Sequence, residues 1–125
     1  MTESITQGRD PEAPETTSCN EVILVGRVSA VPERRELPSG DQLVTLRLVV
    51  TRPPRKGAAK TAVDVIDVAC WSKRTQRTAA GLAADASVRV EGALRRRFFA
   101  AGAGRASRYE VEASRLVRLS RPSGR

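Results

Sequence analysis

The chain has 125 residues, with 22 Lys and Arg against 14 Asp and Glu, no histidine and two cysteines, for a net charge of +8. That length suits one domain with a single modest core, and without a run of about 18 or more apolar residues neither a membrane span nor a membrane partner is expected. Without histidine the commonest general base and metal ligand at neutral pH is missing, and Cys19 and Cys70 make neither a disulfide framework nor a zinc pattern, so the composition points away from an enzyme, a metal or a cofactor and towards a binder of polyanions.

The charge is uneven. Residues 1–19 hold four acids (Glu3, Asp10, Glu12 and Glu15) and one base, Arg9, which leaves 21 bases and 10 acids in residues 20–125. The first 19 residues are rich in Glu, Thr, Ser and Pro and lack the large apolar side chains that offset ordering entropy, so they read as a disordered acidic extension. They also lack the apolar stretch of a secretory signal, and a cytoplasmic protein is expected. Cys19 reads as an exposed thiol and Cys70 as a small core residue.

The domain is expected over 20–119. Residues 21–31 are dense in β-branched side chains and read as a first strand, with Gly26 marking a bulge or a sharp bend. Apolar residues on both faces of 22–28 suggest that another subunit covers one of them. After Pro32, Glu33, Arg34 and Arg35 comes a turn signal at 37–41. Residues 42–51 form a second strand, with Val44, Leu46, Leu48 and Val50 on one phase and Thr45, Arg47, Val49 and Thr51 on the other. Residues 52–61, with two prolines, a glycine and the cations Arg52, Arg55, Lys56 and Lys60, read as a mobile basic loop.

In the third strand, 63–71, Ile66, Val68 and Cys70 face a core, while Val65, Asp67, Ala69 and Trp71 face away. Trp71 reads either as the cover of a rim or subunit contact or as a platform for a nucleobase. Residues 72–84 lose the two-residue period. Ser72 suits an N-cap, and Thr78, Ala79, Leu82 and Ala83 can form a short helical face, although Arg74 and Arg77 lie near the start, against the helix dipole. In the fourth strand, 87–99, Val88, Val90, Gly92 and Leu94 share one phase, and Arg89, Glu91, Ala93, Arg95, Arg97 and Phe99 the other. That second face is either a solvated basic surface or one that stacks bases and pairs phosphates. Residues 100–106 read as a flexible hairpin tip. Residues 107–119 read as a fifth strand, with Tyr109, Val111, Ala113, Val117 and Leu119 in phase, and 120–125 as a short basic tail. Three strands, a short helix and two strands is the order of the OB-fold, an all-β, five-stranded antiparallel barrel that often binds oligonucleotides on one face.

Several stretches, taken together and in order, resemble the bacterial single-stranded DNA-binding protein family: residues 20–27 with 32–35, Leu46-Arg47-Leu48, Trp71-Ser72-Lys73, residues 88–94 with Arg97 and Phe99, and residues 108–111. The resemblance implies a homotetramer that binds single-stranded DNA with little sequence preference in replication, repair or recombination, without catalysis or cofactor, in the cytoplasm at the nucleoid. Trp71 and Phe99 match its stacking positions. Arg97, Arg95, Lys73 and Arg27 match or adjoin its basic ones, and Arg47, Arg52, Arg55, Lys56 and Lys60 are expected to meet phosphates.

The departures are specific. Val65 and the pair Pro53-Pro54 stand where the resemblance places aromatics, and Asp67 puts an acid on the face that should be basic. With each stacked base worth about 1–3 kcal/mol, weaker binding is expected, and a larger electrostatic share makes it more salt-sensitive. An acidic, apolar C-terminal tip is absent from these residues, which suggests a short or accessory member beside a full-length paralogue. The N-terminal acids either compete with DNA for the basic face or form an inert extension. Two other readings stay open: an assembly protein that dimerises or joins the paralogue through Trp71 and the apolar first strand, with residual DNA binding, and an RNA-binding OB module.

Overall fold

Alternating apolar residues give the chain strands with one core-seeking face, and curling brings those faces together. The structure, a computed structural model, describes residues 17–54, 56–57 and 61–119. Most of the expected N-terminal extension, Arg55 and Lys60 of the basic loop, and the tail at 120–125 lie outside the described residues. The elements are β1 (Val22–Val28), β2 (Glu33–Glu36), β3 (Gln42–Thr51), β4 (Val63–Cys70), α1 (Lys73–Ala80), β5 (Ser87–Ala101) and β6 (Gly104–Arg118). The sheet runs β1-β5-β6-β4-β3-β2, and β1 also pairs with β3, which closes it into a barrel.

The five long strands and the helix between the third and fourth of them are those of the OB-fold. Two features differ from the expectation. The barrel is mixed, because β4 and β6 run parallel at Val68↔Val111 and Ala69↔Glu112. The chain between them, through α1 and β5, supplies the long connection that a parallel pair needs. A short extra strand, β2, pairs with the edge of β3 through a turn in which the Gly40 N–H donates to the Leu37 carbonyl (2.8 Å). All four β2 residues are charged and exposed, so no alternation marks them as a strand.

Val28, Val44, Leu46, Leu48, Val68, Cys70, Val88, Val90, Val111, Ala113 and Leu116 fill the interior, with Ala79 and Leu82 plugging one end. Gly26 sits where β1 passes from β5 to β3, and a Cβ there would lie 2.3 Å from the Val49 carbonyl oxygen. Gly92 is equally tight, with the Glu112 carbonyl oxygen 2.1 Å from the place of a Cβ.

The last strand departs from strict alternation. The β5–β6 register shifts between Glu91 and Gly92, so β6 carries an extra residue, Ser114, whose hydroxyl donates to the Glu91 carbonyl (3.0 Å). The bulge flips the phase, and Leu116 rather than Val117 faces the core. Beyond Leu94 and Val111 the two strands outrun the barrel as a ribbon. The 100–106 segment is paired to its tip, Ala101↔Gly104, with Gly102 turning at φ +59°.

Ser72 does cap α1, accepting from the Thr75 N–H (3.1 Å). The helix ends at Gly81, earlier than the sequence pattern implies, and buries Thr75, Gln76 and Ala79. Leu82 packs just beyond its end, and Thr78 is only partly covered.

Gly92→Ala is expected to lower stability by about 1–3 kcal/mol in urea unfolding, because the new methyl must displace main chain. Gly104→Ala, where nothing lies within 4 Å of the added Cβ, should stay within about 0.5 kcal/mol.

Candidate nucleic-acid interface

The side chains that alternate away from the core form one outer face across four strands. Register places Thr45 against Ala69, Arg47 against Asp67 and Val49 against Val65 across β3 and β4, with Trp71 just past the end of β4. Ala69 then meets Glu112 on β6, and Glu110 and Arg108 stand opposite Arg95 and Arg97 of β5. Directly opposed residues share a face, so these groups are neighbours.

Trp71, Phe98 and Phe99 line one groove with Arg35, Arg97, Arg108 and Glu110. The Arg97 guanidinium lies 5.2 Å from the centre of the Trp71 ring. It also donates to Glu110 from Nε (2.9 Å) and to Glu112 from Nη2 (3.4 Å). Arg95 donates to the same Glu112 (3.0 Å) and lines an adjoining hollow that Trp71 also borders. Lys73, exposed at the start of α1, follows two residues after Trp71. Trp71, Phe99, Arg95 and Arg97 are therefore brought together, while Lys73 borders neither hollow.

The other sequence-named cations are spread out. Arg47 lies further along the same face, paired with Asp67 (3.3 Å). Arg27 stands opposite Val49, in the row of Val65, and pairs with Asp85 (3.5 Å). Arg52 closes the base of its loop on Asp64, with Nε at 3.0 Å and Nη2 at 2.8 Å. That hydrogen bond, with the charge of Asp64, raises the Arg52 pKa still higher. Lys56 sits exposed in a turn with Gly57.

Five of the expected phosphate-binding arginines thus have carboxylate partners. The exposed pairs contribute about 0–1 kcal/mol each, so a phosphate can replace Asp67, Asp64 or Asp85 at small cost. Glu110, by contrast, is buried and would be left an uncompensated charge without Arg97. All the acids weaken the field of the face. Arg35 and Arg108 make no ion pair among the described residues. Both border the Trp71 groove and the neighbouring hollow that holds Arg47 and Asp67, and so join its two ends. Sequence reasoning did not single them out. Arg35 faces this way only because β2 pairs with β3, and Arg108 only through its register with Arg97.

Gln76 holds the ring's attachment in place. Its Nε2 donates to the carbonyls of Gln42 (2.9 Å), Cys70 (3.0 Å) and Trp71 (3.2 Å) and so ties α1 to β3 and the end of β4. Cys70 beside it is buried, and burial pushes its thiol up to about 11, which keeps it protonated and unreactive. Gln76→Leu leaves those carbonyls without their donor and should cost about 1–3 kcal/mol. Urea unfolding checks the cost, and a shifted emission maximum of Trp71, the sole tryptophan, shows that the ring has moved.

A profile of the single-strand binding protein family matches residues 19–119. The single-stranded DNA-binding protein 3 of Listeria innocua is 31% identical over 86 residues, covering 69% of this chain and 54% of that protein. The single-stranded DNA-binding protein of Halalkalibacterium halodurans is 30% identical over 86 residues, covering 69% and 51%. The chain spans about half the length of these curated relatives. A solved structure, a Plasmodium falciparum SSB complex with ssDNA, shares the fold at a TM-score of 0.71 and 20% identity, covering 86% of this chain and 100% of that one.

Proposed function

The chain belongs to the single-strand binding protein family, and on that premise we propose that it binds single-stranded DNA with little sequence preference along the outer face of β3, β4, β5 and β6. The observation that carries this reading is the convergence of Trp71, Arg97 and Phe99 in one groove flanked by Arg35 and Arg108. Bases stack on the two rings, a contact every base can make because every base has a π-face. Arg35 and Arg108 meet phosphates directly. Arg95 and Arg47 do so by exchanging Glu112 and Asp67 for the backbone, while Arg97 stays on the buried Glu110 and offers the phosphate the Nη2 it gives to Glu112. No bond is made or broken, in keeping with a non-enzymatic family. Protection of single strands in replication, repair or recombination, in the cytoplasm at the nucleoid, is part of the same proposal.

Titration of labelled oligo-dT at several salt concentrations gives affinity and the number of phosphates neutralised together. Phe99→Ala should weaken binding by about 5- to 150-fold, the equivalent of about 1–3 kcal/mol for a stacked base; an unchanged affinity would mean the groove is misplaced.

The paired carboxylates make a second, less obvious prediction. Glu112→Gln releases Arg95 and one contact of Arg97. Binding at low salt should tighten, and the slope of log K against log salt should steepen by up to about 0.7 for each arginine freed. A weaker complex would show that Glu112 orients the arginines rather than competing for them.

Assembly belongs to this reading. On the outward phase of β1, Ile23 and Val25 are 58% and 52% exposed. They lie beside the chain of ion pairs Arg89–Glu91–Arg115. An apolar pair on an outer strand favours a homo-oligomer, in this family a tetramer, or a joint assembly with a paralogue. Val25→Glu should lower the mass seen by light scattering, and an unchanged mass would move the subunit contact elsewhere.

A further inference from the structure

The ribbon formed by β5 and β6 has a second face. Inside the barrel, Val88, Val90 and Val111 point to the core. Past Leu94 the same phase continues with no core to meet, and it carries Arg96 and Phe98 on β5 opposite Tyr109 and Ser107 on β6. Phe98 and Tyr109 are 57% and 58% exposed, and Phe98, at the edge of the ribbon, borders the Trp71 groove as well. The Arg96 guanidinium lies 5.0 Å from the centre of the Phe98 ring and 5.5 Å from that of Tyr109, and Arg105 lies 5.6 Å from Phe98 on its other side. Ring and cation therefore alternate along the ribbon as Tyr109, Arg96, Phe98, Arg105. Arg96 is steadied by Ser107, whose hydroxyl accepts from Nε (3.3 Å) and Nη2 (3.2 Å).

The two faces differ in charge. On the Trp71 side Arg95 and Arg97 are answered by Glu110 and Glu112. On the reverse side neither Arg96 nor Arg105 makes an ion pair among the described residues. At the foot of the ladder Leu94 and Tyr109 open onto an apolar mouth with Val22, Leu24 and Ile66. The acids at that mouth, Asp67 and Glu110, are held by Arg47 and Arg97.

We propose that this reverse face is a second single-strand site, and that one DNA strand crosses the ribbon from Trp71 and Phe99 to Phe98 and Tyr109. Alternating rings and uncompensated cations suit an occupant that alternates base planes and phosphates. The inference rests on the reading of the first face as a single-strand site.

The test is anisotropy with labelled dT of about 6 and about 30 nucleotides, lengths near the bottom of and well beyond the span of one OB fold, about 4–16 nucleotides. Phe98→Ala and Tyr109→Ala remove exposed side chains and should leave the barrel folded, which circular dichroism checks. Tyr109→Ala should leave binding of the short oligomer unchanged and weaken the long one by about five- to ten-fold, whereas Phe98→Ala, at a ring that also borders the Trp71 groove, should weaken the long oligomer more than the short one. Phe98→Tyr, which keeps a ring, should bind the long oligomer like the unaltered protein. Arg96→Gln should reduce the salt slope on the long oligomer by about 0.7. Long-oligomer affinity and slope unchanged in all the variants would overturn the inference, and a changed mass with unchanged DNA binding would assign the ladder to a protein contact instead. If the unaltered protein bound neither oligomer, the first site would fail and this one with it; binding by the unaltered protein, with variants that match it, removes the second site alone.

Discussion

The barrel closes where β1 leaves β5 and pairs with β3. The crossing requires main chain to approach main chain at Gly26, beneath the Val49 carbonyl. Closure places Val28 and Leu48 in full burial and fixes which phase of each strand faces in. Because a strand alternates strictly, fixing the inner phase also fixes the outer one. Arg47, Asp67, Trp71, Arg95, Arg97 and Phe99 share a surface for no reason of their own. They are the residues left over when the core has taken its share.

That surface is less basic than a count of cations implies. A phase rich in arginine on β5 meets a phase rich in glutamate on β6, and Arg47 meets Asp67 across β3 and β4. The exposed pairs among them add little stability, while the buried Glu110 holds Arg97 more firmly; on the proposed reading their effect is on binding. A phosphate arriving at Arg97 must compete with Glu112, so part of the electrostatic gain from each contact is offset by the carboxylate it displaces. The arginines without such partners among the described residues, Arg35 and Arg108, stand where the two ends of the groove meet, and there the field is least compensated.

Much of this architecture could be read before the structure. The phases of the second and third predicted strands, the Ser72 cap and the outward turn of Trp71 all follow from alternation and local chemistry. What could not be read depends on pairing between distant residues. The β2 strand has four charged residues and no alternation, and only its register with β3 makes it a strand and turns Arg35 toward the groove. Ser114 looks like any strand residue, yet as the extra residue of a bulge it exchanges Val117 for Leu116 in the core. Nor does a sequence say which arginine finds which glutamate across a sheet.

The ribbon carries this reasoning furthest. Alternation read from the sequence assigns Leu94 and Tyr109 to the core phase, and the phase is right, but the core ends before it does. Where two strands outrun a barrel, residues patterned as interior become a second exterior. The resemblance places aromatics at Val65 and near Pro54, and this chain has none there. It has rings instead on both faces of one hairpin, Phe99 in front, Tyr109 behind, and Phe98 on the rear phase but reaching the front groove as well. Aromatic surface that would otherwise line the barrel wall is concentrated on a projecting two-stranded arm. Each ring on the arm has an arginine against it or beside it, and the arm stays in register because β5 and β6 are paired to their last residues. A paired ribbon is stiffer than a loop, so rings and cations are held at fixed spacing before any ligand arrives, and less ordering entropy is lost on binding.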